Sequence, residues 1–336
     1  MPTIFLTHTP DMLANYYGAR ALAELRALAP VRLNETGAVL DPRALARAAK
    51  GCEIVVSDRQ TAAPAELFSL MPDLVALLRV AVDIRNIDVH AASAHGVLVT
   101  HATPGFVASV AEMAIGYMVD CARDITAATI DYREGRAPPA RMGRQLKGAT
   151  LGIIGYGAIG EYLAQLGLAL GMTVLVSDPK KTLTVGGITQ LSLPDLLARS
   201  DFVVCLAVAT EETENLMDAA AFACMRTNAF FLNLSRGNLV DETALAAALD
   251  ARAIAGAALD VGRAPDQKPS PALAARTDVI ATPHTAGLTP EAIEHQAFDT
   301  VNQAADLLAG RVPKGAANPD EAHRLARIAP KNPFAQ

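Results

Sequence analysis

Tryptophan is absent from this 336-residue chain, and aromatic residues together make up only 4% of it. Its core must therefore be built from aliphatic side chains, chiefly Ala, Leu and Val. Cysteine is scarce: the 4 present are Cys52, Cys121, Cys205 and Cys224, with no C-x-x-C pair. That pattern speaks against a zinc site or a disulfide framework and for buried, reduced thiols, so no metal is expected. Positive charge is not in excess: Lys+Arg 29 against Asp+Glu 35 leaves −6. A mildly acidic chain is a poor general nucleic-acid binder. No apolar run approaches the roughly 18 residues of a membrane span. The start, Met1 to Leu6, lacks the basic region and apolar length of a secretory signal. The expectation is a cytoplasmic protein with no membrane or nucleic-acid partner. Internal repeats and low-complexity tracts are lacking too. What remains is 51% hydrophobic and 19% charged, a globular composition, and the length suggests about two domains.

Short apolar runs alternate with helical patterns from the start of the chain. Strands are predicted at residues 3–7, 52–57, within 74–82 and at 97–100, with helices at 11–28 and 87–95. Strands separated by helices of this length argue for parallel β-α-β units. Residues 101–105 carry turn chemistry, and a long helical pattern runs from Val107 to about Arg133. Residues 134–147, with Gly, Pro and several Arg, read as a solvated connector. A second series follows, with strands predicted at 151–154, 173–177, 202–206, 229–234, 256–260 and 279–282. Helices fill the intervals, most clearly 159–170 and 243–252, and a last helix spans 290–309.

Gly155-Tyr156-Gly157-Ala158-Ile159-Gly160 is a G-x-G-x-x-G between a predicted strand and a helix. In that context it is a dinucleotide fingerprint: Gly155 for the tight turn, Gly157 for close approach to a pyrophosphate, Gly160 for helix–strand packing. The helix start offers unpaired N–H groups and a positive dipole end. Asp178 ends the next strand at the offset where a carboxylate receives ribose hydroxyls. A carboxylate there repels a 2′-phosphate, which favours NAD over NADP, although Lys180 and Lys181 follow immediately.

Three further segments sharpen the reading: Asn233-Leu234-Ser235-Arg236-Gly237, Gly256 to Val261, and Ala281-Thr282-Pro283-His284-Thr285-Ala286-Gly287. With the glycine fingerprint, in this order, they resemble the D-isomer-specific 2-hydroxyacid dehydrogenase family. The resemblance is good from about His101 to Glu291 and looser over 80–100. It implies an α/β protein of two Rossmann-like, doubly wound domains. A discontinuous, flavodoxin-like substrate domain (1–101 and 291–336) would flank an NAD-binding Rossmann domain (102–290), with a cleft between. It also implies a homodimer built through the coenzyme domain. The cofactor would lie against Gly155, Gly157, Ala158, Ile159, Gly160, Asp178, Ala207, Val208, Thr213, Leu234, Ser235, Arg236, Asp260, His284 and Gly287. Arg236 would hold the carboxylate and carbonyl oxygen of a small anionic substrate. His284 would be the acid/base, and Asp260 would meet the nicotinamide carboxamide.

The chain departs from the family in three places. The usual catalytic Glu is missing, with Ala264 or Pro265 at its position. Asp266, one methylene shorter and displaced along the chain, is the candidate replacement. The substrate loop, normally a Gly-x-Gly turn, reads Val80-Ala81-Val82-Asp83-Ile84-Arg85-Asn86. Ala81 and Val82 would then contact substrate. Arg85 either selects a second anionic group or pairs with Asp83 or Asp88. Phe106 stands where the family often has Asn. These changes argue against glyoxylate or formate and are compatible with a larger or partly apolar 2-oxo acid. Two alternatives stay open: another anion (a phosphorylated hydroxy acid or phosphite), and a non-enzymatic NAD-sensing protein resembling the family's corepressor branch.

Overall fold

Parallel strands, most of them buried on both faces, organise the computed structural model, which describes residues 2–328. The chain divides into two units, Met1–Gly105 with Pro290–Gln336, and Phe106–Thr289. The breaks lie a few residues from the expected ones after 101 and 290.

In the first unit the strands are β1 (Ile4–Leu6), β2 (Val31–Leu33), β3 (Ile54–Ser57), β4 (Ala76–Arg79) and β5 (Leu98–Thr100). They pair in the order β2-β1-β3-β4-β5, all parallel. Helices cover both faces, so β1, β3, β4 and β5 are buried along their whole length and are apolar up to a last polar residue in β3, β4 and β5. The edge strand β2 was not predicted: it has three residues and none is fully buried. The helix expected over 11–28 is two helices, Pro10–Tyr16 and Ala19–Leu28, because Gly18 adopts φ +89° between them. The helix Pro290–Leu308 packs on Ala19–Leu28, and its Gln303 accepts from the Thr100 hydroxyl at 2.7 Å and donates to the His101 and Lys314 carbonyls.

The second unit holds β6 (Thr150–Ile154), β7 (Thr173–Ser177), β8 (Ile188–Gln190), β9 (Phe202–Cys205), β10 (Phe230–Asn233), β11 (Gly256–Leu259) and β12 (Val279–Ala281). Their order is β12-β11-β10-β9-β6-β7-β8, again all parallel. The winding reverses between β6 and β9, the topological switch point at which doubly wound sheets bind ligands. The helix Val107–Arg123 packs against the helix Ala158–Ala169 and against β10 and β11. It does not run on to Arg133 as expected. Asp124 turns left-handed at φ 54°, and a separate helix, Ile125–Arg133, follows with no buried residue.

A polar network that the sequence did not reveal closes the C-terminal ends of β1, β3 and β4. The Arg79 side chain is fully buried; its guanidinium donates to the Asp58 carbonyl, the Thr61 carbonyl at 2.9 Å and Asn86 Oδ1 at 2.6 Å. The Asp58 carboxylate accepts from the Thr7 and Thr61 hydroxyls at 2.6 and 2.5 Å and from the Gln60 and Thr61 amides. Those donors outweigh desolvation and hold its pKa below the usual value. His8, whose ring is tilted 59° to that of Tyr17, is pushed down to about 4 chiefly by burial and is neutral at working pH. Truncating Arg79 would strand two buried carbonyls and leave Asp58 without its counter-charge. Arg79→Ala is expected to cost about 3 kcal/mol of stability, read as a lower urea midpoint. A loss under about 1 kcal/mol would show that the loops do not depend on this guanidinium.

Candidate active site

The glycine loop connects β6 to the helix Ala158–Ala169 at the switch point. Gly155 sits at φ +91°, and a Cβ there would come within 2.7 Å of the Ala207 amide nitrogen. A Cβ on Gly160 would strike the Gly155 carbonyl, whereas one on Gly157 would meet nothing within 4 Å. The first and third glycines therefore pack protein on protein, and the middle one keeps a face open. No side chain caps the helix start, where Ala158, Ile159 and Gly160 present N–H groups. These features fit a dinucleotide phosphate. Asp178 directly follows β7 and accepts from Tyr156 N at 2.8 Å and Lys180 N at 2.9 Å. Lys180 lies 3.8 Å from Glu212, and Lys181 sits over the Tyr156 ring.

Ala207 and Val208 follow β9, and Val208 is exposed. Thr213 holds that loop in shape, donating to the Val208 carbonyl at 2.7 Å and accepting from Thr210 N at 2.8 Å. Beyond β10, Leu234 is buried, and the Ser235 hydroxyl donates to the Ala207 carbonyl at 2.6 Å. Asn233 clamps the next turn: its side chain accepts from Ser235 N and donates to the Arg236 carbonyl. Arg236 Nη1 donates to the Ser235 carbonyl at 2.7 Å. A Cβ on Gly237 would overlap the Gly262 carbonyl, so only glycine lets this turn lie against the loop after β11.

Asp260 directly follows β11 and is 1% exposed. Its Oδ1 accepts from the Thr282 hydroxyl at 2.5 Å and Thr285 N at 2.8 Å, and its Oδ2 from Ala286 N at 2.9 Å. A carboxylate has about four acceptor positions, so one remains for the carboxamide donor expected there. Tyr117, on the helix Val107–Arg123, bonds the same Thr282 hydroxyl. Neither Tyr117 nor Thr282 was singled out from sequence; they stand 165 residues apart. Gly287 follows, packed against Phe106, whose Cβ would lie 3.2 Å from a Cβ on that glycine.

His284 occupies the turn after β12 at φ 61°, half-buried. Its Nδ1 lies 2.9 Å from the main-chain carbonyl of Asp266. This corrects the expectation for Asp266: the residue reaches His284, but through its backbone. Its carboxylate is 75% exposed and lies 3.8 Å from Lys268. The cause is conformational, since Asp266 and Gln267 are both left-handed, at φ 60° and 59°. A carbonyl only accepts, so Nδ1 carries the proton and Nε2 faces away from this bond.

In the other unit, Ala81 accepts from Ala102 N at 3.0 Å and Val82 is 37% exposed. Arg85 is not presented as a lone cation. It bonds Asp83 at 2.6 to 3.0 Å, in an exposed pair.

Residues 115–286 match the family described as D-isomer specific 2-hydroxyacid dehydrogenase, NAD binding domain. The chain is 33% identical over 308 residues to (S)-sulfolactate dehydrogenase of Chromohalobacter salexigens, covering 89% of this chain and 98% of that one. It is 36% identical over 262 residues to D-3-phosphoglycerate dehydrogenase of Mycobacterium tuberculosis, covering 77% of this chain and 49% of that one. It thus spans about half the length of that relative. Among solved structures, a Polaromonas protein described as an NAD-binding D-isomer specific 2-hydroxyacid dehydrogenase superposes with TM-score 0.84 at 25% identity, covering 94% of this chain and 99% of that one. The chain belongs to the D-isomer specific 2-hydroxyacid dehydrogenase family.

Because the backbone of Asp266, and not its carboxylate, meets His284, Asp266→Asn should leave the pH–rate profile in place and kcat within about twofold. A displaced pH profile would show that the carboxylate acts on His284 after all.

Proposed function

We propose that this chain is an NAD(H)-dependent oxidoreductase that interconverts a D-2-hydroxy acid and its 2-oxo acid. His284 carries the reading: an imidazole at the C-terminal edge of a dinucleotide-type sheet, its tautomer set by a main-chain carbonyl. Arg236 follows β10 and His284 follows β12, with β11 between, so the two strand ends lie about 10 Å apart. A bound nicotinamide supplies the hydride. Arg236 holds the substrate carboxylate in its planar fork. In reduction, His284 gives the Nε2 proton of its imidazolium to the 2-oxo oxygen; in oxidation, Nε2 takes the proton from the hydroxyl. The Asp266 carbonyl keeps the ring oriented in both directions.

NAD is favoured over NADP. Asp178 is held by two amides at the end of β7, while Lys180 and Lys181 are engaged with Glu212 and Tyr156. The pairing of Arg85 with Asp83 speaks against Arg85 as the reader of a second anionic group on the substrate. The relatives named for sulfolactate and phosphoglycerate keep that alternative in the assay. The free cysteines are compatible with a reducing, cytoplasmic location.

A second copy is the proposed partner. The helix Ile125–Arg133 buries none of its residues in this chain, and Ile125, Ile130, Tyr132 and the following Met142 are exposed. The expected outcome is a dimer by light scattering that Tyr132→Glu weakens. A monomer at micromolar concentration would remove the proposal.

The deciding assay is a panel of 2-oxo acids, including sulfopyruvate and 3-phosphohydroxypyruvate, with NADH and then NADPH. Turnover with NADH preferred is expected, and His284→Asn should lower kcat by about 10²-fold or more. Tight NADH binding with no turnover would instead support an NAD-sensing module.

A further inference from the structure

We propose, resting on the acid/base reading of His284, that Tyr117 and Thr282 are positioning residues: a half-buried hydroxyl relay that sets the His284 turn through Asp260. The bonds run Tyr117 hydroxyl, Thr282 hydroxyl, Asp260 carboxylate, then the amides of Thr285 and Ala286. Their direction follows from chemistry. An ionised carboxylate only accepts, so Thr282 donates to Asp260. The Thr282 oxygen is then the acceptor, and Tyr117 must donate to it. Burial pushes the Tyr117 phenol up, so that donor persists throughout the working pH range.

The relay ends on both sides of the catalytic side chain. The Thr282 carbonyl accepts from His284 N at 3.0 Å, and the two amides held by Asp260 belong to the residues immediately after His284. His284 itself is left-handed at φ 61°, a conformation that a non-glycine residue keeps only when its neighbours impose it. Here the neighbours are Asp260 and, through Thr282, Tyr117. Phenylalanine at 117 would keep the ring among its apolar neighbours and remove only the terminal donor. The Thr282 hydroxyl would then be released to rotate away from Asp260.

Tyr117→Phe is expected to lower kcat for 2-oxo acid reduction about tenfold, with KM for NADH within about twofold. Without cofactor, hydrogen exchange in peptides spanning 282–289 should speed up about tenfold while other peptides stay unchanged. Thr282→Val, which breaks both links, should lose more, and Thr282→Ser should restore most of kcat. A purely structural tyrosine would lower Tm and leave kcat, measured well below Tm, and local exchange at wild-type values; that result overturns the relay. His284→Asn separates the two readings. If it is inactive while Tyr117→Phe behaves as wild type, only the relay fails. If His284→Asn turns over normally, the acid/base reading fails, and the exchange data still decide whether the relay holds the turn.

Discussion

One buried carboxylate organises the second unit. Asp260 has almost no exposure, and an ion removed from water costs several kcal/mol unless its oxygens are occupied. Here three donors occupy them, all from the turn after the neighbouring strand β12. The turn cannot relax without stranding that charge. The end of β11 and the turn after β12 therefore behave as one piece, and the left-handed backbone at His284 is tolerated because the alternative is worse. The imidazole then needs only one further contact, to the Asp266 carbonyl, to have its ring plane and tautomer defined.

The glycines divide the remaining labour according to what each would strike. Gly155 and Gly160 let the loop fold against Ala207 and against itself, and Gly237 lets the Arg236 turn lie on Gly262. Among the fingerprint glycines, only Gly157 faces open space. A fingerprint that looks uniform in sequence is thus two packing positions around one open position. The switch point between β6 and β9 places that open position where the sheet leaves room for a ligand.

Most of the architecture was legible because parallel strands buried on both faces leave unbroken apolar runs, as at Ile54–Ser57 and Phe202–Cys205. The short edge strands Val31–Leu33 and Ile188–Gln190 were not, since neither has a fully buried residue to mark it. Two long helical patterns hid breaks at Gly18 and Asp124, where the backbone turns left-handed without interrupting the apolar period. At the site, residue types were legible and atoms were not. Register could bring Asp266 to His284, but only the left-handed pair at 266 and 267 determines that the carbonyl makes the contact. The bond between Tyr117 and Thr282 left no local trace, the two being partners across most of the unit.

The two units solve the same problem with opposite charges. In the first, the buried cation Arg79 donates to the carbonyls of Asp58 and Thr61; in the second, the buried anion Asp260 accepts from the amides of Thr285 and Ala286. In each case a side-chain charge at a strand end is bound largely by the backbone of a neighbouring loop. Backbone groups are present whatever the side chain, so such loops keep their shape while their residues change. This accounts for a loop, 80–86, that carries no glycine and still returns to a fixed place. Asn86 Oδ1 is held by Arg79, and the Asn86 carbonyl accepts from Ala63 N at 2.9 Å. The conformational work that a Gly-x-Gly turn would do by flexibility is done here by a guanidinium. Ala81, Val82 and Arg85 are thereby left open to substitution without loss of the loop's path.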